Sequence, residues 1–397
     1  MDGLCQIRRI NWRPFFIRKQ LVEKYIIQTT DLEDLVKSLP DQNKLSLDIE
    51  SNGFYHYFEK VCLIQLATVD AIYIVDPLSP IDINLLSPIL SDESVEKIIH
   101  SADYDVRSLK RDWSFSINNL FDTSIAAAFI GSAKRGLNSV LMEYLNIPLE
   151  KDKKMQRADW SIRPLPTDLL KYASDDVRYL IELESSLSTK LKKMSRLDWV
   201  VEECKRLTEV EFSNENSKRG FLSVKGSGKL NEYHLPILKS IYEFREKEAI
   251  RKDVPPFRIF SDQIMVQLVS SDCGKISDIR ELGPYSRLPA SKKLQNAIDL
   301  GRKSPPITRP KNEHGIKSNI SELERIKSRK RLELLKNWRN EHAQRLNLDT
   351  GLLWPLISLE RLSRDPREFE IEIQSQQVRK WQIDELGDSL IKVLCKL

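Results

Sequence analysis

The stretch Leu45-Ser46-Leu47-Asp48-Ile49-Glu50 decides the fold class of this 397-residue chain, because apolar and polar side chains alternate along it. Alternation with a period of two predicts a β-strand with one buried face. Asp48 and Glu50 lie two residues apart, so both carboxylates leave the same face of that strand. The strand therefore brings two like charges together, and they repel unless a cation or basic side chains neutralise them.

Short apolar runs and helical patterns follow this strand along the first half of the chain. The predicted elements are strands at Val61–Thr68, Ala71–Val75 and Lys97–His100, a helix at Asp103–Trp113, and a long helix from Thr167 towards Met194. Strands that come first and helices that cross over afterwards predict an α/β domain, with helices on the faces of its sheet.

The second half reads as helical and is interrupted twice. Both breaks are polar, the first with several glycines and the second Pro-rich and basic, which is typical of linkers. Similar clusters around Phe244 and Trp338 suggest a duplicated small helical domain. The predicted division is an α/β domain at 1–212, a linker at 213–228, a helical domain at 229–303, a basic linker at 304–320 and a second helical domain at 321–397.

Composition is that of a globular protein, with 41% hydrophobic and 30% charged residues and a net charge of only +5. A polyanionic partner must therefore be bound by local basic patches, such as residues 301–345, which hold 13 Lys and Arg against five Asp and Glu. The five cysteines show no C-x-x-C spacing, and no apolar stretch is typical of a signal peptide or membrane span. We expect a cytoplasmic protein that does not enter a membrane.

Acidic side chains recur at three places that can carry chemistry. Asp48 and Glu50 are either an ordinary surface pair or ligands of a hard divalent cation, which takes oxygen donors. Asp105 lies in a predicted first helical turn, where the helix dipole alone favours an acid. Tyr172 and Asp176 lie four residues apart and so share one face of a helix, where a phenol can hydrogen-bond a water beside the carboxylate.

In this order, Asp48-x-Glu50, Asp105 and Tyr172-x-x-x-Asp176 resemble the DEDD exonuclease superfamily, in the subgroup whose last motif carries tyrosine. The runs Val61-Cys62-Leu63-Ile64-Gln65-Leu66, Phe121-Asp122-Thr123 and Gln156-x-x-Asp159-Trp160-x-x-Arg163-Pro164-Leu165 extend the resemblance to ribonuclease D. The segments from Tyr242 to Asp262 and from Leu335 to Pro355 look like two HRDC domains. The resemblance implies a ribonuclease H-like exonuclease domain, with a mixed sheet flanked by helices, followed by two small all-α HRDC-type domains.

The resemblance also implies two-metal hydrolysis at RNA 3′ ends. Asp48, Glu50 and Asp176 would hold one Mg²⁺ or Mn²⁺, and Asp48 would bridge to a second, with Asp105 acting directly or through water. Tyr172 would orient the attacking water, and the product would be a nucleoside 5′-monophosphate. Structured RNA with a free 3′ end, such as a tRNA precursor, is the implied substrate, and no obligate protein partner is implied.

Six further residues are predicted to contact nucleic acid. Aromatic rings past the Asp48 strand can stack on bases, for about 1–3 kcal/mol per base, although such rings also simply pack in proteins. The predicted contacts are His56, Tyr57, His100, Gln156, Trp160 and Arg163. Two other functions stay open: a DNA-directed exonuclease of the same superfamily, which matched RNA and DNA substrates would reveal, and an inactive RNA-binding scaffold, which the presence of all four acids disfavours.

Overall fold

A computed structural model describes residues 21–39, 42–150, 152–209, 220–270, 276–309 and 321–396. Residues 213–219 of the first predicted linker and 310–320 of the second lie outside these residues, together with Cys5 and Cys273. Within them, no helix has both the length and the apolar character that crossing a bilayer requires.

Six strands of the described residues form one mixed sheet, with the bounds β1 Val22–Ile26, β2 Lys44–Ser51, β3 Val61–Ala67, β4 Ala71–Val75, β5 Glu96–Ile99 and β6 Leu120–Asp122. Their order across the sheet is β1-β4-β3-β2-β5-β6. β3 runs antiparallel to both of its neighbours, whereas the three other neighbouring pairs are parallel. The predicted strands are confirmed, and the edge strands β1 and β6 were not predicted.

In the part of the chain that the structure describes, eight α-helices surround this sheet. Their bounds are α1 Thr29–Ser38, α2 Ser87–Ser91, α3 Asp103–Trp113, α4 Thr123–Ile130, α5 Leu137–Leu145, α6 Thr167–Arg178, α7 Leu180–Lys193 and α8 Leu197–Thr208. The prediction of a single long helix from Thr167 is wrong in one respect. Tyr179, with φ −112° and ψ 5°, leaves the helical region and divides it into α6 and α7.

Helix α6 packs across the centre of the sheet and so positions its polar residues. Its apolar side chains share one buried cluster with β3 and β4. The Ser46 hydroxyl on β2 donates to the carbonyl oxygen of Val177 at 3.1 Å, which fixes the helix against that strand. The same packing places Tyr172 and Asp176 beside the end of β2.

The C-terminal half contains two helical modules with different cores. The first helical module comprises α9 Leu235–Lys252, α10 Asp262–Ser270 and α11 Ala290–Lys303, and its buried side chains form a cluster of their own. The second helical module comprises α12 Glu322–Leu346, α13 Leu356–Arg364, α14 Phe369–Ile373 and α15 Lys380–Leu394. Its apolar side chains belong to the same cluster as the core of the α/β domain.

Candidate metal centre and active site

Three carboxylates converge where β2 ends beneath α6. One oxygen from each of Asp48, Glu50 and Asp176 can be chosen so that all three lie within 4.8 Å of one another. They line a cleft of about 420 Å³ that is open to solvent. The alternation in β2 places Asp48 and Glu50 on one face of the strand, and α6 brings Asp176 close to them. The two motifs therefore lie together, as the resemblance implied.

Burial and mutual repulsion both act on these carboxylates. Burial raises the pKa of Asp48 well above its usual value, and the nearby charges of Asp105, Asp176 and Glu50 raise it further. The pKa of Glu50 is raised by burial and by Asp176 and Asp105. A divalent cation would remove this repulsion, and a set of carboxylate oxygens is the donor set that Mg²⁺ and Mn²⁺ prefer. The residues present therefore fit such an ion.

Asp105 lies behind this cluster, in the first turn of α3. Its side chain is 5% exposed and hydrogen-bonds that of Asp48. Burial, followed by the charge of Asp122, raises the pKa of Asp105 to about 8, although backbone N–H groups oppose the shift. Asp105 therefore reaches Asp48 directly, while the three-carboxylate group does not include it.

Tyr172 lines the cleft one helical turn before Asp176. Burial and the charges of Asp176 and Glu50 raise the pKa of its phenol, so the hydroxyl stays protonated and can donate a hydrogen bond. The Gln156 side chain hydrogen-bonds this hydroxyl and lines the same cleft. The structure thus brings Tyr172 and Gln156 together beside the carboxylates.

His100 also lines the cleft, at the end of β5, with its Nδ1 2.8 Å from the hydroxyl of Thr123. Phe54, one of the aromatic rings past the Asp48 strand, lines the cleft as well, and so do Ser51 and Tyr104, which were missed from the sequence. Tyr104 precedes Asp105 on α3, and its hydroxyl contacts both Ser51 and Glu59. The signal in the sequence that could have found it is that adjacency to Asp105.

The loop after β2 uses His56 and Tyr57 to contact the first helical module. His56 Nδ1 lies 2.7 Å from a carboxylate oxygen of Asp253, and the Tyr57 N–H donates to the other oxygen at 3.1 Å. The Tyr57 hydroxyl donates to Glu246 at 2.9 Å. Both side chains are thus engaged at the junction, and their contact with nucleic acid remains a prediction.

Trp160 and Arg163 support the site from behind. Trp160 is 1% exposed, and its ring lies 6.2 Å from that of Tyr172. Arg163 donates to both carboxylate oxygens of Asp76, at 2.5 and 2.7 Å, and to three backbone carbonyls. Burial of the ring and this use of every guanidinium N–H are typical of residues that support a site, and the contact with nucleic acid predicted for both stays a prediction.

Comparison with known proteins agrees with this geometry. Residues 24–192 match a family described as 3′–5′ exonuclease, and residues 234–286 match the HRDC domain. A ribonuclease D from Desulfotalea psychrophila is 30% identical over 251 residues, covering 62% of this chain and 67% of that protein. The chain belongs to the ribonuclease D family.

Other relatives place limits on what this membership says. A second ribonuclease D, from Shewanella, is 28% identical over 68% of this chain and 69% of its own length. The Arabidopsis thaliana protein RRP6-like 2 is 26% identical over 71% of this chain, but the match spans only 34% of that longer protein. Activity and substrate are therefore matters for proposal.

Solved structures confirm the predicted fold class. The Escherichia coli RNase D crystal structure covers 94% of this chain and 98% of its own, with 20% identity and a TM-score of 0.68. The sheet flanked by helices, the HRDC domain and the helical C-terminal part are as expected for the ribonuclease D family. The assignment of 321–397 as a second HRDC domain, and the other domain bounds, stay predictions.

Proposed function

We propose that this chain is a 3′–5′ exoribonuclease that hydrolyses RNA to nucleoside 5′-monophosphates with divalent cations. The observation that carries the proposal is the convergence of Asp48, Glu50 and Asp176 in an open cleft beside Tyr172. Membership of the ribonuclease D family supports the chemistry.

In this proposal, Asp48, Glu50 and Asp176 would hold Mg²⁺ or Mn²⁺, with Asp105 supporting Asp48 and a second ion shared through Asp48. Bound cations supply a more acidic water and neutralise charge on the phosphate. Tyr172 donates its hydroxyl proton in a hydrogen bond that orients the attacking water. Gln156 in turn fixes the direction of that hydroxyl.

RNA is the only macromolecular partner that the proposal requires. The Escherichia coli RNase D structure is described as that of an exoribonuclease involved in structured RNA processing, and we extend this substrate class, including tRNA precursors, to the present chain. Phe54, 52% exposed in the cleft, offers a ring for a terminal base. Cys62 and Cys204 are buried free thiols, which supports the cytoplasm as the site of action.

End-labelled RNA with a free or a blocked 3′ end tests the proposal. Asp48→Asn should slow stepwise loss from the free 3′ end at least a thousandfold, equivalent to about 4 kcal/mol of transition-state stabilisation, while RNA binding stays measurable. EDTA and the 3′ block should each abolish the loss.

Asp175→Asn is the matched control, because Asp175 is next to Asp176 but pairs with Arg178 at 2.9 Å. It should retain activity. Hydrolysis by the Asp48 variant, or in EDTA, would contradict the metal assignment. A strong preference for DNA of the same sequence would contradict the assignment of RNA as substrate.

A further inference from the structure

Gln65 is a buried amide whose polar atoms are not explained by the fold. It lies in the middle of β3 and is fully buried. Neither its Oε1 nor its Nε2 has a hydrogen-bond partner among the residues that the structure describes. A buried amide without a partner is costly and uncommon in folded proteins, so its presence calls for a specific partner.

The register of the sheet identifies that partner. Gln65 lies directly opposite Asp48 in the antiparallel pair of β2 and β3, so both side chains leave the same face of the sheet. On its other side it faces Ile74 of β4. Its same-face neighbours along β3 are Leu63 and Ala67. These three are buried in the apolar cluster beneath α6.

Among these four nearest positions on the sheet, only Asp48 is polar. Directly opposed residues of this kind have Cβ atoms about 4.5–5.5 Å apart, a gap that a glutamine side chain can span. Carboxylates that bind metal ions are themselves held by hydrogen bonds from neighbouring groups, which fix the direction of the ligand oxygen. The carboxylate of Asp48 already accepts a backbone hydrogen bond at Ile49 and is hydrogen-bonded to the side chain of Asp105.

We propose that Gln65 is a positioning residue, whose Nε2 donates to the carboxylate of Asp48 when that carboxylate binds a divalent cation. The inference rests on the proposed function, because it assigns a role in the same metal centre. Gln65 itself touches neither the ion nor RNA. Its effect passes through the orientation of Asp48.

Gln65→Met is the direct test, because methionine has nearly the same length and shape but no donor. Removal of an amide that takes part in a hydrogen-bond network would leave its former partners buried and unsatisfied, and would lower the stability of the fold. Removal of an amide that has no partner in the metal-free fold leaves no unsatisfied group, so its replacement by an apolar group of similar shape is neutral or stabilising. The metal-free Gln65→Met protein should therefore melt at or above the wild-type temperature.

Mn²⁺ affinity, measured by calorimetry on the full chain without RNA, is the second readout. It should fall about 10–100-fold, as expected for loss of a group that orients a ligand. With RNA, kcat should fall while KM changes little. Gln65→Leu provides a second apolar replacement if the methionine variant does not fold.

Thr68→Val is the matched control, because Thr68 lies three residues after Gln65, is buried, and bonds only backbone groups of the turn between β3 and β4. It should lower the melting temperature and leave Mn²⁺ affinity unchanged. Mn²⁺ affinity of the Gln65 variants within twofold of wild type would overturn the inference, as would a loss of metal-free stability like that of Thr68→Val. A wild-type chain that bound no Mn²⁺ would remove the proposed function and this inference with it.

Discussion

The two helical modules are attached to the α/β domain by different kinds of contact. The second helical module is joined through its core. Trp381 of α15 stacks on Trp199 of α8 at 4.6 Å and meets Phe129 of α4 edge-on at 5.3 Å. The buried Arg196 donates to the carbonyl oxygens of Phe129 and Leu346, at the ends of α4 and α12. This module completes the core of the α/β domain.

The first helical module instead meets the loop that follows β2, mainly through polar groups. Asp253 and Glu246 accept hydrogen bonds from that loop, and the Arg258 guanidinium lies 4.4 Å from the centre of the Tyr55 ring. The same loop carries Phe54 into the active-site cleft. The second helical module therefore contributes to stability, whereas the first helical module lies against the loop beside the active-site cleft. Mutations in the two modules should separate these two roles.

The largest expected effect is that of Trp381→Ala. Trp381 is 3% exposed, and removing a buried ring of this size costs about 3–5 kcal/mol of unfolding free energy. Because its cluster is continuous with the sheet, hydrogen exchange should speed up in β2 and β3 as well as in α15. Leu294→Ala, at a buried position of the first helical module, should destabilise α9–α11 and leave exchange in the sheet unchanged. An equal increase in the hydrogen-exchange rates of β2 and β3 in both variants would contradict the difference between the two modules.

A smaller effect, on activity alone, is expected for Asp253→Ala. The change removes the acceptor for His56 and the Tyr57 N–H, so the loop that presents Phe54 is held less firmly. We expect kcat/KM for RNA to fall about tenfold, as modest misplacement of substrate does, with the melting temperature nearly unchanged. Asp278→Ala, an exposed acid of the same module, is the control and should match wild type. Equal activity of the two variants would show that this junction does not position the loop.

The smallest expected effect is a pH dependence confined to the second helical module. Burial lowers the pKa of His342, whose Nε2 lies 2.7 Å from the Ser389 hydroxyl. A lowered folded-state pKa means that the unfolded chain binds more protons below pH ~6.5, so stability is lost as pH falls below that value. The loss should be under about 1 kcal/mol, because the imidazole is only partly buried.

Melting temperatures of wild type and His342→Gln between pH 7.5 and 5.5 isolate this contribution. The difference between the two profiles matters, because buried carboxylates with raised pKa values, such as Asp105, act in the opposite direction. For such a group the folded state binds more protons, so stability falls as pH rises from its unfolded-state pKa towards about 8. Parallel wild-type and variant profiles would show that His342 does not sense pH.

Local pattern was enough to predict much of the fold and the centre of the site. The alternation in β2 and the apolar face of α3 each encode one element, and α3 begins and ends at the predicted residues. The four-residue spacing of Tyr172 and Asp176 specified a shared face of a helix. Local pattern does not show which residues that are far apart in the sequence lie close together in the fold.

Long-range partners explain what the sequence could not predict. The partner of Arg163 is Asp76, 87 residues away, and that of His56 is Asp253, 197 residues away. The sequence separation of the two residues gives no sign, for either pair, that they are in contact. Contact with nucleic acid was therefore a reasonable expectation for both Arg163 and His56. Tertiary packing gave both side chains a structural partner.

The joint between α8 and α15 also sets an order of events during synthesis. The carboxylate of Glu202 accepts the backbone N–H of Trp381, and 179 residues separate the two. At about 5–20 residues per second, roughly ten to forty seconds pass between the synthesis of one partner and the other. During that interval Trp199 and Phe129 have no aromatic partner from α15. The nascent α/β domain therefore carries an apolar face until the second helical module is made, and chaperones have a defined surface to bind.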